Sequence, residues 1–202
     1  WFSPQSISGV ITVLMRITGK CFRVTNNHCY KRASMKVVCE TERLVVRQFE
    51  LSDAPFIVRL LNDDLFIRYI GDKNVRTQED AINYLETGPM ASYKKHGFGL
   101  NLVCLKETHT QIGMCGLLKR DDLGYAFLPE YSGKGYAREA AENTLKAVMT
   151  NCSLDTVVAV TLPDNLRSNK LLETIGFRFK ETIELYGTQN NLYEFKSLGA
   201  LC

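Results

Sequence analysis

No Cys-x-x-Cys pair occurs in this 202-residue chain, and its seven cysteines, at 21, 29, 39, 104, 115, 152 and 202, show nothing like zinc-ligand spacing. Metal binding is therefore not expected. Cys21, His28 and Cys29 form a near-cluster, but in a stretch without structural patterning. Scattered cysteines inside apolar runs, such as Cys104 and Cys115, read as small core residues in a reducing compartment, the cytosol. Acidic side chains are missing from the first 35 residues, which hold Arg16, Lys20, Arg23, Lys31 and Arg32. The remainder carries 20 basic and 22 acidic residues, a net charge of −2. No concentrated basic face is expected there, so a nucleic-acid partner is excluded by charge. The apolar run ISGVITVLM is nine residues long, too short for a bilayer, and its basic residues follow it instead of preceding it as an export signal requires. No membrane partner is expected.

What remains divides at Met35. Residues 1–34 are poorly patterned, and the functional protein is expected to start near Met35, followed by one domain over 35–202, monomeric or homodimeric. With 45% hydrophobic residues the chain can bury a core of that size.

From Lys36 on, the periodicities separate. RLVVRQF alternates and is rich in β-branched residues, which predicts a strand. SDAPFIVRLLND predicts an amphipathic helix, with Ser52 or Asp53 as cap and Pro55 in the first turn. TQEDAINYLETGPMASYKK starts on a Thr cap with Asp80 three residues on, and Gly88-Pro89 is its expected break. Three apolar runs, FGLNLVCLK, QIGMCGLLK and LGYAFL, separated by polar turns, predict an antiparallel meander. A helix after Gly135 has Glu142 and Lys146 as an expected i,i+4 pair. TVVAVTL reads as a buried strand. A helix capped by Asn165 and closed by Gly176 precedes a terminal hairpin, FRFKETIEL and LYEFKS. The order implies an α/β fold with a mixed sheet.

YSGKGYAREAAENTLKAV, residues 131–148, runs two glycines into a helix N-terminus, where outward N–H groups and the positive end of the dipole suit a phosphate. Taken alone, Gly-x-Gly before a helix is equally a plain tight turn.

LGYAFLPEYSGKGYAREA followed by VTLPDNLRSNKLLETIGFRF resembles the acetyl-CoA-binding core of the GNAT N-acetyltransferase superfamily, and most closely its ribosomal-protein N-terminal acetyltransferase branch. ETERLVVRQFELSDA resembles the opening of that branch, so the similarity runs from about Cys39 to Phe195. The resemblance implies a GNAT-like, mostly antiparallel twisted sheet with splayed central strands flanked by helices. It implies acetyl-CoA as cosubstrate, with diphosphate against the bare backbone of Gly133 and Gly135 and N–H groups from Ser132 through Ala137 as donors. Lys134 adds charge there or is simply solvated; Tyr136 packs beneath the cofactor or belongs to the core. Phe127 and Leu128 are implied to pair through their backbones with the pantetheine arm, and Asn165 to contact it. Ser168, three residues along the same helix face, is implied to protonate the departing thiolate, although Asn and Ser at a helix start also suit plain capping.

The implied reaction is direct attack of an uncharged primary amine on the thioester, which requires a base or water chain and an oxyanion donor. Glu130 stands where the superfamily often has Arg or Gln, three residues before the first loop glycine. Glu184 is the nearest acid in the segment that supplies the base in some relatives. Tyr125 either faces the reaction or belongs to the core. His28, His96 and His109 fall in the leader, at a helix end and in a hairpin turn, and none is expected to be catalytic. The expected acceptor is a protein N-terminal amine, of the ribosomal-protein type, ahead of a polyamine or aminoglycoside; Asp63, Asp64 and Glu86 attract a cationic amine or are simply solvated. A non-catalytic acetyl-CoA-binding module is the alternative of a different class.

Overall fold

The computed structural model describes residues 16, 17, 20, 21 and 36–196, apart from 120, 153 and 186. The chain divides into two compact units, Trp1–Met35 and Lys36–Cys202. In the first, Arg16–Ile17 pairs antiparallel with Lys20–Cys21; the rest of the leader expected over residues 1–34 lies outside the described residues.

The second unit is built on an eight-stranded sheet. Its strands are β1 (Val37–Glu40), β2 (Leu44–Arg47), β3 (Leu100–Leu105), β4 (Gln111–Lys119), β5 (Asp122–Phe127), β6 (Thr156–Thr161), β7 (Arg178–Leu185) and β8 (Thr188–Lys196), in spatial order β1-β2-β3-β4-β5-β6-β8-β7. Neighbours pair antiparallel except β5 and β6, which are parallel. The predicted meander is β3-β4-β5 and the terminal hairpin is β7-β8, with β7 forming one edge. A bulge at Lys180 bends that edge strand, and bulges and lysines are devices that discourage edge-to-edge pairing.

Both faces of the sheet are covered. On one, Ala140, Ala141 and Leu145 of α5 (Tyr136–Cys152) and Leu172 of α6 (Leu166–Thr174) pack on Leu44, Val46, Val103, Cys115 and Leu117. On the other, α1 (Ala54–Leu61) and α3 (Gln78–Leu85) bury Ile57, Leu60, Leu61, Ala81 and Leu85 against Leu102, Met114 and Leu128. The short α2 (Asp64–Ile70) lies between them in sequence, capped by the Asp63 carboxylate. Cys104 and Cys115 are free and buried; burial pushes the Cys115 thiol up to about 12, so it is an inert core group.

Three local expectations are corrected. Neither Ser52 nor Asp53 caps α1 through its side chain: a short 3₁₀ turn, Leu51–Asp53, enters the helix, and Asp53 turns inward to a bidentate pair with Arg47 at 2.7 and 2.8 Å. Gly88-Pro89 does not stop its helix, because the backbone absorbs the proline in a π turn, Glu86–Met90, and continues as α4 (Ala91–His96). Glu142 pairs with Arg138 at 2.9 Å, one turn before it, and not with Lys146.

Candidate active site

The β5-α5 connection begins with a 3₁₀ turn, Pro129–Tyr131, in which the Ser132 N–H donates to the Pro129 carbonyl at 3.0 Å. Gly133 and Gly135 then adopt φ of +75° and +80°, the left-handed region that side chains avoid. A Cβ at Gly133 would meet nothing within 4 Å, so open space lies over that peptide. The Gly135 carbonyl accepts the Glu139 N–H at 3.0 Å, which makes Gly135 the N-cap of α5. Tyr136, Ala137 and Arg138 therefore carry first-turn N–H groups with no intrahelical partner. The left-handed residues of this bend lie at the positive end of a 17-residue helix, and such residues can turn consecutive N–H groups toward one side. The Ser132 N–H, expected among these donors, already has the Pro129 carbonyl as acceptor.

The bend is latched from the β1-β2 turn. Arg43 donates through Nη1 to the Lys134 carbonyl at 3.0 Å and through Nε to the Glu139 carboxylate at 2.7 Å, with its guanidinium 4.6 Å from the centre of the Tyr136 ring. The Arg43 N–H (3.0 Å) and the Thr41 hydroxyl (2.5 Å) complete the contacts to Glu139. Burial pushes the Glu139 pKa up, but the bonds from Thr41 and Arg43 together hold it below the usual carboxylate value. The latch is thus complete above the ordinary carboxylate range and is lost as pH falls through the depressed value. Thr41, Arg43, Gly135, Arg138 and Glu139 line a cleft of about 410 Å³ beside the bend. Tyr136 packs under Arg43 and beside Tyr131, while Lys134 Nζ lies 5.5 Å from the centre of the Tyr131 ring.

Upstream of the bend the sheet opens. β5 and β6 share one residue pair, Asp122↔Val158, with the Val158 N–H bonded to the Asp121 carbonyl at 2.6 Å. Beyond it β6 stays with β8 along its whole length, to Asn191↔Thr161, and parts from β5. Phe127 sits opposite Gly113, and the Leu128 N–H donates to the Ile112 carbonyl at 3.0 Å. That bond marks Phe127 and Gly113 as a non-hydrogen-bonded pair, so the N–H and C=O of Phe127, and by alternation of Tyr125, face the open side. Leu128 is differently placed: its N–H serves Ile112, its carbonyl accepts the Tyr131 N–H at 3.0 Å, and its side chain is buried in the opposite core layer. Of the backbone groups expected to be free at Phe127 and Leu128, those of Phe127 face the opening and those of Leu128 are bonded within the protein.

Across the opening stands α6. Asn165 caps it, Oδ1 accepting the Ser168 N–H at 3.2 Å, which leaves the amide NH₂ as the group it can offer a ligand. The Tyr125 hydroxyl donates to Ser168 Oγ at 3.0 Å. Asn169 ties the same turn to the sheet, accepting from the Thr161 hydroxyl and donating to the Pro163 carbonyl at 3.0 Å. Two exposed ion pairs connect the site to α1 and α2: Arg59 with Glu130, and Arg68 with Asp164 at 3.0 Å. Glu130 thus serves the α1 side and not the bend. Glu184 lies exposed on β7, separated from β6 by β8. His96 stacks on Phe98 at a helix end, and His109, with a φ of +57°, turns the β3-β4 hairpin.

A family model described as an acetyltransferase (GNAT) domain matches residues 43–178. The chain belongs to the GNAT family. It is an N-acetyltransferase, an acyltransferase that takes an amine acceptor together with acetyl-CoA. It is 30% identical over 158 residues to the uncharacterized N-acetyltransferase YoaA of Bacillus subtilis, an alignment covering 76% of this chain and 89% of YoaA. Its fold is similar to the ribosomal-protein-S5-alanine acetyltransferase of Vibrio fischeri, with TM-score 0.66, 22% identity, and 80% and 97% of the two chains covered. It is also similar to a spermidine N-acetyltransferase of Vibrio cholerae, solved with CoA and spermine, with TM-score 0.67, 17% identity, and 77% and 96% covered. Among the described residues no helix is long and apolar enough to cross a membrane.

Sequence reasoning missed Arg43 and Glu139 as parts of this site, and for Tyr125, left between the reaction and the core, it did not foresee the contact with Ser168. Arg43 and Glu139 are 96 positions apart and Tyr125 and Ser168 are 43 apart. No local pattern joins partners so separated; only the sheet order does.

Proposed function

We propose that this enzyme acetylates a protein N-terminal amine, with acetyl-CoA held along the line from the glycine bend to the α6 N-terminus. The N–H groups of Gly133, Lys134, Gly135, Tyr136 and Ala137 take the diphosphate. Two left-handed glycines, open space over Gly133 and the α5 dipole are the observations that fit it. Phe127 offers its N–H and C=O to the pantetheine amides in the manner of an added strand. The Asn165 amide group contacts the same arm, and Ser168 Oγ gives its proton to the departing sulfur. Bound acetyl-CoA supplies the activated acyl group. Proton removal from the amine runs to water, and from its place on β7 Glu184 takes part only through such water.

What carries the choice of acceptor is the state of the acids near the opening. Asp63 is occupied as the α2 cap, accepting N–H groups of Leu65 and Phe66 at 3.0 and 3.3 Å, Asp164 is paired with Arg68 and Glu130 with Arg59, which leaves Asp64 and Glu86, both exposed, as the acids to spare among those named. A polyamine needs several carboxylates to spare, whereas a chain terminus brings one amine and a backbone that strand edges can pair. Incubation with isotope-labelled acetyl-CoA, a proteome extract and an amine library, read by mass spectrometry, tests this. Label on protein N-termini is expected. Turnover confined to polyamines or aminoglycosides would overturn it.

The Arg43 latch yields a separate prediction. Arg43→Ala is expected to raise the KM for acetyl-CoA about tenfold, the loss of roughly 1.4 kcal/mol from a charge-assisted contact that shapes the bend. Global stability should change by less than about 1 kcal/mol because Arg43 is partly exposed. Steady-state kinetics and urea unfolding report the two quantities separately.

A further inference from the structure

We infer that Tyr125 is a positioning residue for catalysis, holding the Ser168 hydroxyl so that its hydrogen is presented to the leaving sulfur. This rests on the reading of Ser168 as the proton donor. Ser168 is fixed from two sides: its N–H is bound by Asn165 Oδ1 at 3.2 Å, and its Oγ receives the Tyr125 hydroxyl at 3.0 Å. A serine hydroxyl has one hydrogen and two lone pairs. With a phenol filling one lone pair, the hydrogen must turn elsewhere, and the donated bond polarises the O–H so that it becomes a better donor. The phenol is suited to this task. Burial pushes Tyr125 up to about 12, moderated by the bond to Ser168, so it remains protonated and remains a donor over the neutral and mildly alkaline range. The same residue aims its backbone at the opening between β5 and β6, and a purely packing aromatic would not need a hydroxyl there.

The proton balance is simple. When the C–S bond breaks, its electron pair stays on sulfur; Ser168 Oγ gives sulfur its proton and takes one from water on its second lone pair, while the Tyr125 phenol keeps its own. The attacking amine gives up its proton to water.

The test uses the full chain as Ser168→Ala, Tyr125→Phe and the double variant. Ser168→Ala is expected to lower kcat about 10²-fold, the low end of general acid catalysis. Tyr125→Phe should lower kcat about tenfold, as for one lost hydrogen bond, with the KM for acetyl-CoA unchanged. The double variant should be no worse than Ser168→Ala, because Tyr125 acts only through that hydroxyl. Multiplying losses, or full kcat in Tyr125→Phe beside an impaired Ser168→Ala, would overturn the role of Tyr125 alone. Full kcat in Ser168→Ala would instead remove the reading on which it rests.

Binding supplies a second readout without turnover. Calorimetric titration at alkaline pH, where the thiol ionises, should show the wild type favouring CoA over desulfo-CoA, with that preference several-fold smaller in Tyr125→Phe and desulfo-CoA affinity unchanged. An equal loss for both ligands would mean that Tyr125 only packs, and the inference would fall.

Discussion

Replacing Gly135 with valine is expected to abolish acetyl-CoA binding while leaving a folded protein. Two effects act at the same atom. A left-handed φ of +80° costs a β-branched residue about 1–2 kcal/mol, so the variant either carries that strain or flips the peptide out of that conformation. A Cβ at Gly135 also comes within 3.3 Å of Arg43 Nη2, and the remaining valine methyls press further on the latch that holds the Lys134 carbonyl and Glu139. Either response turns N–H groups away from the diphosphate or covers them with carbon. Several charge-assisted bonds disappear together, so the affinity loss should exceed about 10³-fold at 1.5–3 kcal/mol for each bond. The core has no stake in this loop, since Gly135 packs outside both apolar layers. Calorimetry with acetyl-CoA and a urea melt should give no detectable binding and a cooperative transition displaced by no more than about 2 kcal/mol. Unchanged affinity would place the diphosphate elsewhere.

Gly133 is the informative contrast. A Cβ there meets nothing, and only the backbone conformation and the space kept for a ligand ask for glycine. That distinction explains how much of the site was legible. Glycines at i and i+2 before a helix are visible in any sequence, as is an Asn followed by Ser three positions later. The α6 cap at Asn165, the β3-β4-β5 meander and the strand from RLVVRQF follow from periodicity and capping chemistry because their causes are local. Other features have causes that are not local. The helix α2 is seven residues long, too short for a clear 3.6-residue pattern, and is fixed by the Asp63 cap and a Gly71 exit with φ of +100°. The π turn at Pro89 looks like a stop signal until the helix is seen to continue past it. Leu128 alternates like any strand residue, yet the turn that follows takes its carbonyl and the meander takes its N–H. The latch and the Tyr125 contact exist only because the sheet order brings distant residues to one end. A sequence gives the capping potential of Asp53 as readily as that of Asn165. What it does not give is that Arg47, on a neighbouring strand, competes for the same carboxylate and wins.

That competition predicts the largest stability effect in the protein. Asp53 and Arg47 are 2% and 9% exposed, and the carboxylate takes both guanidinium bonds, the Gln111 side-chain N–H at 2.6 Å and the Glu50 backbone N–H at 2.8 Å. Asp53→Ala leaves a buried guanidinium without its counter-ion and strips partners from Gln111 and Glu50. Removing one member of such a pair costs about 3–5 kcal/mol, a large share of the roughly 5–15 kcal/mol that stabilises a domain of this kind. The charge itself is not what stabilises the fold, since the desolvation of both ions offsets much of their attraction. Asp53→Leu combined with Arg47→Leu should therefore lose less than Asp53→Ala alone, although Gln111 and Glu50 still go unpaired. Urea unfolding of the three proteins with unchanged m-values would measure this order. A double variant less stable than the single one would show that the pair contributes net stability of its own, and a loss below about 1 kcal/mol in Asp53→Ala would mean that water enters and solvates Arg47 where the structure has it buried.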